Sequence, residues 1–411
     1  MSPSAAELVA RASYGRLVAL LAARSGDIAG AEDALSEAFL AALSRWPVDG
    51  APQNPDAWLF AVARRRLLDG RRRAAVRARD AEAIIHAIEG FAEAAVDTAF
   101  PDDRLRLLFV CSHPAIEPAA QVPLMLQTVL GLDAAAIASA MRVAPKTMGQ
   151  RLWRAKTKIR EAGIPFDVPG ADELPARLDA VLEAIYAAFG TAWEDVGAAD
   201  PRSRELTAEA IFLGRLLVAL LPGQPEAYGL LALMLFAEAR RPARRNAAGD
   251  YVPLEQQDRS RWSAAHLDEA EQLLVRAFRL GRVGPFQLEA ALQSAHVSGA
   301  RLGRFDHEAI LALYEGLVNL APSLGALVGR AAALVEARGG EAALAALDAL
   351  EPSLVRDYQP FWAVRADALR AAGRAAEARD AYDRAAGMTE DEGTRRFLAA
   401  RRAQLSEVST T

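Results

Sequence analysis

Apolar residues recur at three- and four-residue spacing along most of the chain, and strand-rich runs of Val, Ile, Thr and Tyr are scarce. That period puts the apolar residues of a segment on one helix face, so the pattern predicts an all-α protein. Residues 8–21 and 31–43 read as amphipathic helices on either side of the turn Ser25-Gly26-Asp27. WPVDGAPQNP, residues 46–55, reads as a polar break. Asn54 then serves as an N-cap with Pro55 in the first helical position, and a helix runs on through Arg73. Further on, LGLDAAAIASAM (residues 130–141) predicts a helix led by Asp133. The turn Arg142-Val143-Ala144 follows, and Pro145 starts a second helix with Val143, Met148, Leu152 and Ile159 facing inward.

These elements group into four segments: residues 7–79, a linker over 80–101, residues 102–164, and residues 169–411 after the punctuation GIPFDVPG. The last segment repeats weakly. Trp362, Ala366, Leu369, Gly373, Ala378, Tyr382 and Ala385 follow the alternation of small and large residues in a tetratricopeptide unit. Leu327, Ala331, Leu334, Ala343 and Leu347 repeat it upstream, and residues 225–239 with 267–278 form a further pair split by a polar insertion.

Charge changes the picture most. The formal net charge is −5, yet residues 142–160 carry seven basic side chains and no acidic one. Residues 64–79 carry eight arginines against one aspartate. Two concentrated basic patches in an otherwise acidic chain point to polyanion contact. A basic second helix after a tight turn has the form of a helix-turn-helix placed in a DNA major groove. Its outward residues are Lys146, Thr147, Gln150, Arg151, Arg154 and Lys158. Thr147, Gln150 and Arg151 lie early enough to read base edges, whereas Lys156, Lys158 and Arg160 suit backbone phosphates.

Enzyme chemistry finds little support. One cysteine and five scattered histidines lack metal-ligand spacing, and no glycine-rich phosphate loop, nucleophile elbow or HExxH helix occurs. Cys111 reads as a small buried hydrophobe and His113 as a helix-terminus residue. The most apolar run, residues 210–221, contains Arg215 and is too short to span a bilayer, and no apolar signal region follows basic residues at the start. The expectation is a cytoplasmic protein with no cofactor, no metal and no membrane contact.

Residues 143–160 resemble region 4 of extracytoplasmic-function sigma factors, the promoter-specificity subunits of bacterial RNA polymerase. Thr147, Arg151, Leu152, Arg154, Ala155, Lys158 and Arg160 carry the likeness. GDIAGAEDALSEAFLAAL (residues 26–43) resembles the acidic polymerase-docking helix of region 2, through Glu32, Asp33, Glu37 and Phe39. NPDAWLFAVARRRLLDGRRR (residues 54–73) resembles the helix that engages the −10 element, through Trp58, Leu59, Ala63, Arg64 and Asp69. The resemblance implies −10 contacts at Trp58, Arg64, Arg65, Arg71, Arg72 and Arg73, although the spacing of Trp58 with Leu59, Val62 and Leu67 also fits a core residue. Stacking aromatics with arginines suit exposed bases and phosphates.

Residues 102–116, 163–169, 228–244, 257–262 and 284–296 resemble the sigma subgroup with a long helical, tetratricopeptide-like C-terminal extension. That likeness implies core RNA polymerase and promoter DNA as partners, and a built-in regulator open to a protein or signal. Three departures stand out. Gly149 replaces a polar residue common in region 4, Ala144 replaces a capping Ser, and AFGTAW (residues 188–193) is less polar than usual. A stand-alone helix-turn-helix regulator would explain the second basic patch, but not residues 26–43 or the first Arg-rich helix.

Overall fold

The computed structural model describes residues 5–78, 102–141, 143–164, 166, 169–170, 172–194 and 201–407. Among them the fold is all-α, with no strand beyond an isolated bridge between Arg245 and Tyr251. The expected linker over 80–101, together with Arg79 and Arg142, lies outside the described residues. The chain divides into two compact units, one ending at Leu220 and the other beginning at Leu221.

The first unit opens with α1 (Ala5–Ser25), α2 (Ile28–Asp49) and α3 (Pro55–Ala78). Gly26 ends α1 in the left-handed region at φ 66°, and Asp27 then caps α2 by accepting from the Gly30 amide at 3.0 Å. The polar break expected at Trp46 begins later, at Gly50. Trp46 is buried in edge contact with Trp58, ring centroids 5.5 Å apart, and this packing carries α2 through Pro47 to Asp49. Asn54 caps α3 as expected, accepting from the Ala57 amide at 3.0 Å, and the helix continues beyond Arg73 to Ala78.

Next come α4 (Asp103–Cys111), α5 (Pro118–Thr128), α6 (Ala134–Ala140) and α7 (Pro145–Glu161). Asp133 caps α6 through the amides of Ala135 and Ala136. α1 packs on both α4 and α5. A Cβ at Gly15 would stand 1.9 Å from the Val129 carbonyl oxygen, so only glycine lets α1 pass there. The unit also takes in α8 (Leu174–Glu194) and α9 (Pro201–Leu220), so the compact unit extends past the boundary expected at residue 169. The reason is packing. α8 buries Val181, Leu182, Ile185 and Phe189 and lies on α5, while Arg104 of α4 bonds Glu209 of α9 at 2.5 Å.

The second unit contains α10 (Pro225–Arg240), α11 (Ala264–Arg279), α12 (Pro285–Leu302), α13 (His307–Leu320), α14 (Leu324–Arg338) and α15 (Gly340–Asp348). It ends with the short α16 (Pro352–Val355), α17 (Gln359–Ala371), α18 (Ala375–Gly387) and α19 (Glu392–Glu407). Neighbours in sequence pack as pairs, α10 with α11, α14 with α15 and α17 with α18. Small residues set the approach: a Cβ on Gly340 would stand 2.2 Å from the Ala368 carbonyl oxygen. Ala331, Ala343, Leu347, Ala366, Leu369, Ala378, Tyr382 and Ala385 form one buried cluster, and Tyr382 donates from its hydroxyl to Asp367 at 2.6 Å. Residues 241–263 leave the helical pattern and bind the chain's last helix, through Arg245 to Asp391 at 2.9 Å and Arg396 to Asp250.

Candidate nucleic-acid interface

The rotation of α7 is set by what it buries. Met148, Leu152, Ala155 and Ile159 face inward at four-, three- and four-residue spacing, against α5 and α6. Val143 is half-buried. This leaves Lys146, Thr147, Gln150, Arg154, Lys158 and Arg160 exposed and Arg151 half-exposed. Pro145 starts the helix behind Ala144, which makes no side-chain cap. One outward residue was not singled out by its sequence position. Trp153 is 68 % exposed in the middle of the cationic surface, one turn after Gly149, whose missing side chain leaves open space. The apolar spacing 148–152–155–159 is the signal that would have placed it outside.

Lys156 differs from its neighbours. Its ammonium pairs with the Glu32 carboxylate of α2, and each side chain is only 14 % exposed. Burial pushes the Glu32 carboxyl above the usual carboxylate range, and Lys156 pulls against that shift. A residue expected on DNA and a residue expected on polymerase thus meet each other inside the first unit. In this arrangement neither is presented to a partner.

On α2 the outward face holds Asp33, Glu37, Leu40 and Val48, with Leu40 64 % and Val48 83 % exposed. Phe39 is half-buried, and Glu37 meets Arg66 of α3 at 3.3 Å. Leu40 and Val48 extend the acidic face with apolar surface that composition alone did not mark out.

On α3, Leu59, Ala63 and Leu67 are buried while Arg64 and Arg65 are exposed. Trp58 is half-buried against Trp46, so its ring packs within the protein. The aromatic beside the exposed arginines is Phe60, which shares a surface groove with Arg64, Arg65 and Leu68 and lies 5.2 Å beneath the Arg24 guanidinium. Its position one turn before Arg64 is the sequence signal that marks it. The side chains of Arg71, Arg72 and Arg73 lie outside the described residues.

Cys111 is fully buried, 3.6 Å from the Thr128 hydroxyl, and burial pushes its thiol up to about 12. It is therefore a thiol and no nucleophile near neutral pH. His113 follows the end of α4 and accepts from the Ala115 amide at 3.0 Å. Among the described residues no group of His, Cys, Asp and Glu is placed to hold a metal ion, and no helix is long and apolar enough to cross a membrane.

Comparison with known proteins agrees with the first three helices. Residues 9–77 match sigma-70 region 2. Residues 177–278, from α8 to α11, match a family of unknown function (DUF6596). An uncharacterized protein of Rhizobium meliloti (strain 1021) is 39 % identical over 360 residues, covering 86 % of this chain and 85 % of that protein. No solved structure matches the chain. The chain belongs to the family of that Rhizobium protein, and its first three helices are a sigma-70 region 2.

Proposed function

We propose that the protein is an extracytoplasmic-function sigma factor that directs bacterial RNA polymerase to specific promoters and carries a fused regulatory extension. One observation carries this reading. A sigma-70 region 2 is followed in the same chain by a short helix, a turn and a helix whose exposed face is cationic. Region 2 accounts for polymerase and the −10 element, and the pair α6–α7 is the counterpart for the −35 element.

In this account Asp33, Glu37 and Phe39, with Leu40 and Val48, meet the polymerase core. Arg64 and Arg65, flanked by Phe60 and joined by Arg71, Arg72 and Arg73, hold the phosphates of the opened −10 segment. The first turns of α7 enter the major groove, where Thr147, Gln150 and Arg151 read bases and Lys146, Arg154, Lys158 and Arg160 hold phosphates. Lys156 and Glu32 join these contacts only after they part from each other. The segment 169–411, with tetratricopeptide-like pairs in its second half, answers to a protein or signal partner.

Affinity purification with purified core polymerase tests the assignment. Association of the full chain with core, weakened by Asp33→Arg with Glu37→Arg, is expected. No association, together with tight operator binding by the free chain, overturns it in favour of a stand-alone regulator.

A further inference from the structure

Region 2 and the helix-turn-helix pair α6–α7 lie in one compact unit. The Lys156 ammonium of α7 pairs with Glu32 of α2, and both side chains are 14 % exposed. Gly30, half a turn before Glu32, packs on α3, where a Cβ on it would stand 3.4 Å from Leu67 Cδ2. Leu67 lies one turn after Arg64. Two packed helix spacings, about 20 Å, therefore separate α7 from the cationic turn of α3. In the reading above, that turn holds the −10 element and α7 holds the −35 element. Elements about 25 base pairs apart are separated by about 85 Å of B-form duplex. The shortfall exceeds even the length of α3, 24 residues or about 36 Å. As folded, the unit can grip one element or the other, but not both.

A second fastening comes from outside both parts. Glu209 of α9 bonds Arg104 of α4 at 2.5 Å, and the Phe212 ring centre, one turn on, lies 4.6 Å from the same guanidinium. Burial raises the Glu209 carboxyl, and Arg104 of α4 and Arg16 of α1 both pull against that rise. One carboxylate of α9 thus touches α4 and lies within electrostatic reach of the first helix of region 2. α9 falls within residues 177–278, so this hold belongs to the extension.

Both pairs are suited to part. A buried ion pair exchanges hydration for attraction with little net gain, so returning both charges to water together costs little. The Glu32–Lys156 contact also leaves Glu32 Oε1 buried without a donor, a desolvation cost that separation relieves. We propose that this is a closed form of the protein, unable to span a promoter, held shut by the Glu32–Lys156 and Arg104–Glu209 pairs and tuned by α9 of the extension. This regulation rests on the promoter reading above. Core polymerase binds the open fraction only, so its apparent affinity falls in proportion to that fraction.

The test is a spin-label distance measurement on the full-length chain carrying Arg45→Cys on α2 and Glu161→Cys on α7. Both positions are exposed, and the buried Cys111 stays unlabelled. Helix lengths and spacings put the labels within about 45 Å in the closed form. The free chain is expected to show that short distance, and core polymerase with promoter DNA to move it beyond about 60 Å. Glu32→Lys is expected to add a long-distance population to the free chain, and Glu32→Lys with Lys156→Glu to remove it again. Glu209→Gln, which touches neither DNA nor polymerase in this account, is expected to add such a population and to tighten core binding at least threefold. If Glu209→Gln does not melt cooperatively, Glu209→Asp, which shortens the reach to Arg104, serves with a smaller gain. A free chain that is already long, a double reversal that stays open, or a Glu209 variant as closed and as weakly bound as wild type overturns the inference. So does association with core that leaves the distance short. No association with core overturns the promoter reading instead, and the free-chain distances then still decide whether the two pairs hold the unit closed.

Discussion

Arginines serve opposite purposes in two regions of this protein. On α3 and α7 they stand outward from helices whose apolar spacing is complete without them: Leu59, Ala63 and Leu67 on one, Met148, Leu152, Ala155 and Ile159 on the other. At the end of α10 and the start of the segment after it they are drawn inward, where Arg240 is nearly sealed and Arg245 bonds Asp391 and the Gly249 carbonyl, while Arg259 and Arg261 further along stay exposed. The residue type is the same in the two regions. Burial and the identity of the nearest acceptor separate a cation offered to a partner from one that frames the fold.

The largest expected effect shows that burial, and not membership of a unit, makes this division. Arg104 in the first unit is 12 % exposed at its side chain, bonds Asp102 at 2.6 and 2.9 Å and Glu209 at 2.5 Å, and lies 4.6 Å from the Phe212 ring centre. Arg104→Ala leaves two partly buried carboxylates without their cation and is expected to cost about 4 kcal/mol in denaturant unfolding of the first unit. A loss comparable to that of a surface arginine would break the comparison.

Next in size is a pH effect on the buried region. His296 is lowered to about 4 by burial, by Arg240 and by His307, against about 6.5 in the unfolded chain. Below 6.5 the unfolded chain binds a proton that the folded chain refuses. Stability of the second unit is therefore expected to fall by about 3 kcal/mol as pH drops from 6.5 to 4, and to level off below that. Melting curves against pH check it, and His296→Gln is expected to flatten this part of the profile.

Smaller in free energy, but decisive for function, is the double variant Arg151→Ala with Arg154→Ala. It should reduce promoter binding at least tenfold, about 1.4 kcal/mol, and leave the melt within about 0.5 kcal/mol. A collapsed melt would assign both residues to the frame. The smallest expected effect is at Trp153. Trp153→Ala should leave stability unchanged and lower DNA affinity about threefold without altering its salt dependence, since no charge is removed.

The comparison also explains how much the sequence disclosed. The cap at Asn54, the cap at Asp133 and the inward set Met148, Leu152 and Ile159 were legible because each depends on neighbours three or four residues away. Contacts between distant residues were not. Nothing within ten residues of Lys156 indicates that it meets Glu32, or that Arg104 reaches Glu209 and so joins α9 to the first unit. Trp46 escaped for the same reason: Pro47 and Gly50 predict a break there, and packing against Trp58 postpones it to the glycine. For the cationic faces the sequence supplied the residues, and burial then set Lys156 apart from Lys158 and Arg160.

Run-off transcription with purified core polymerase on a library of bacterial genomic fragments tests the central claim most directly. The account predicts transcripts from discrete start sites with core plus the full chain, none with core alone, and their loss with Arg151→Ala and Arg154→Ala in a protein that melts normally. Absence of discrete starts with a folded, full-length chain, or starts indifferent to both substitutions, would contradict it.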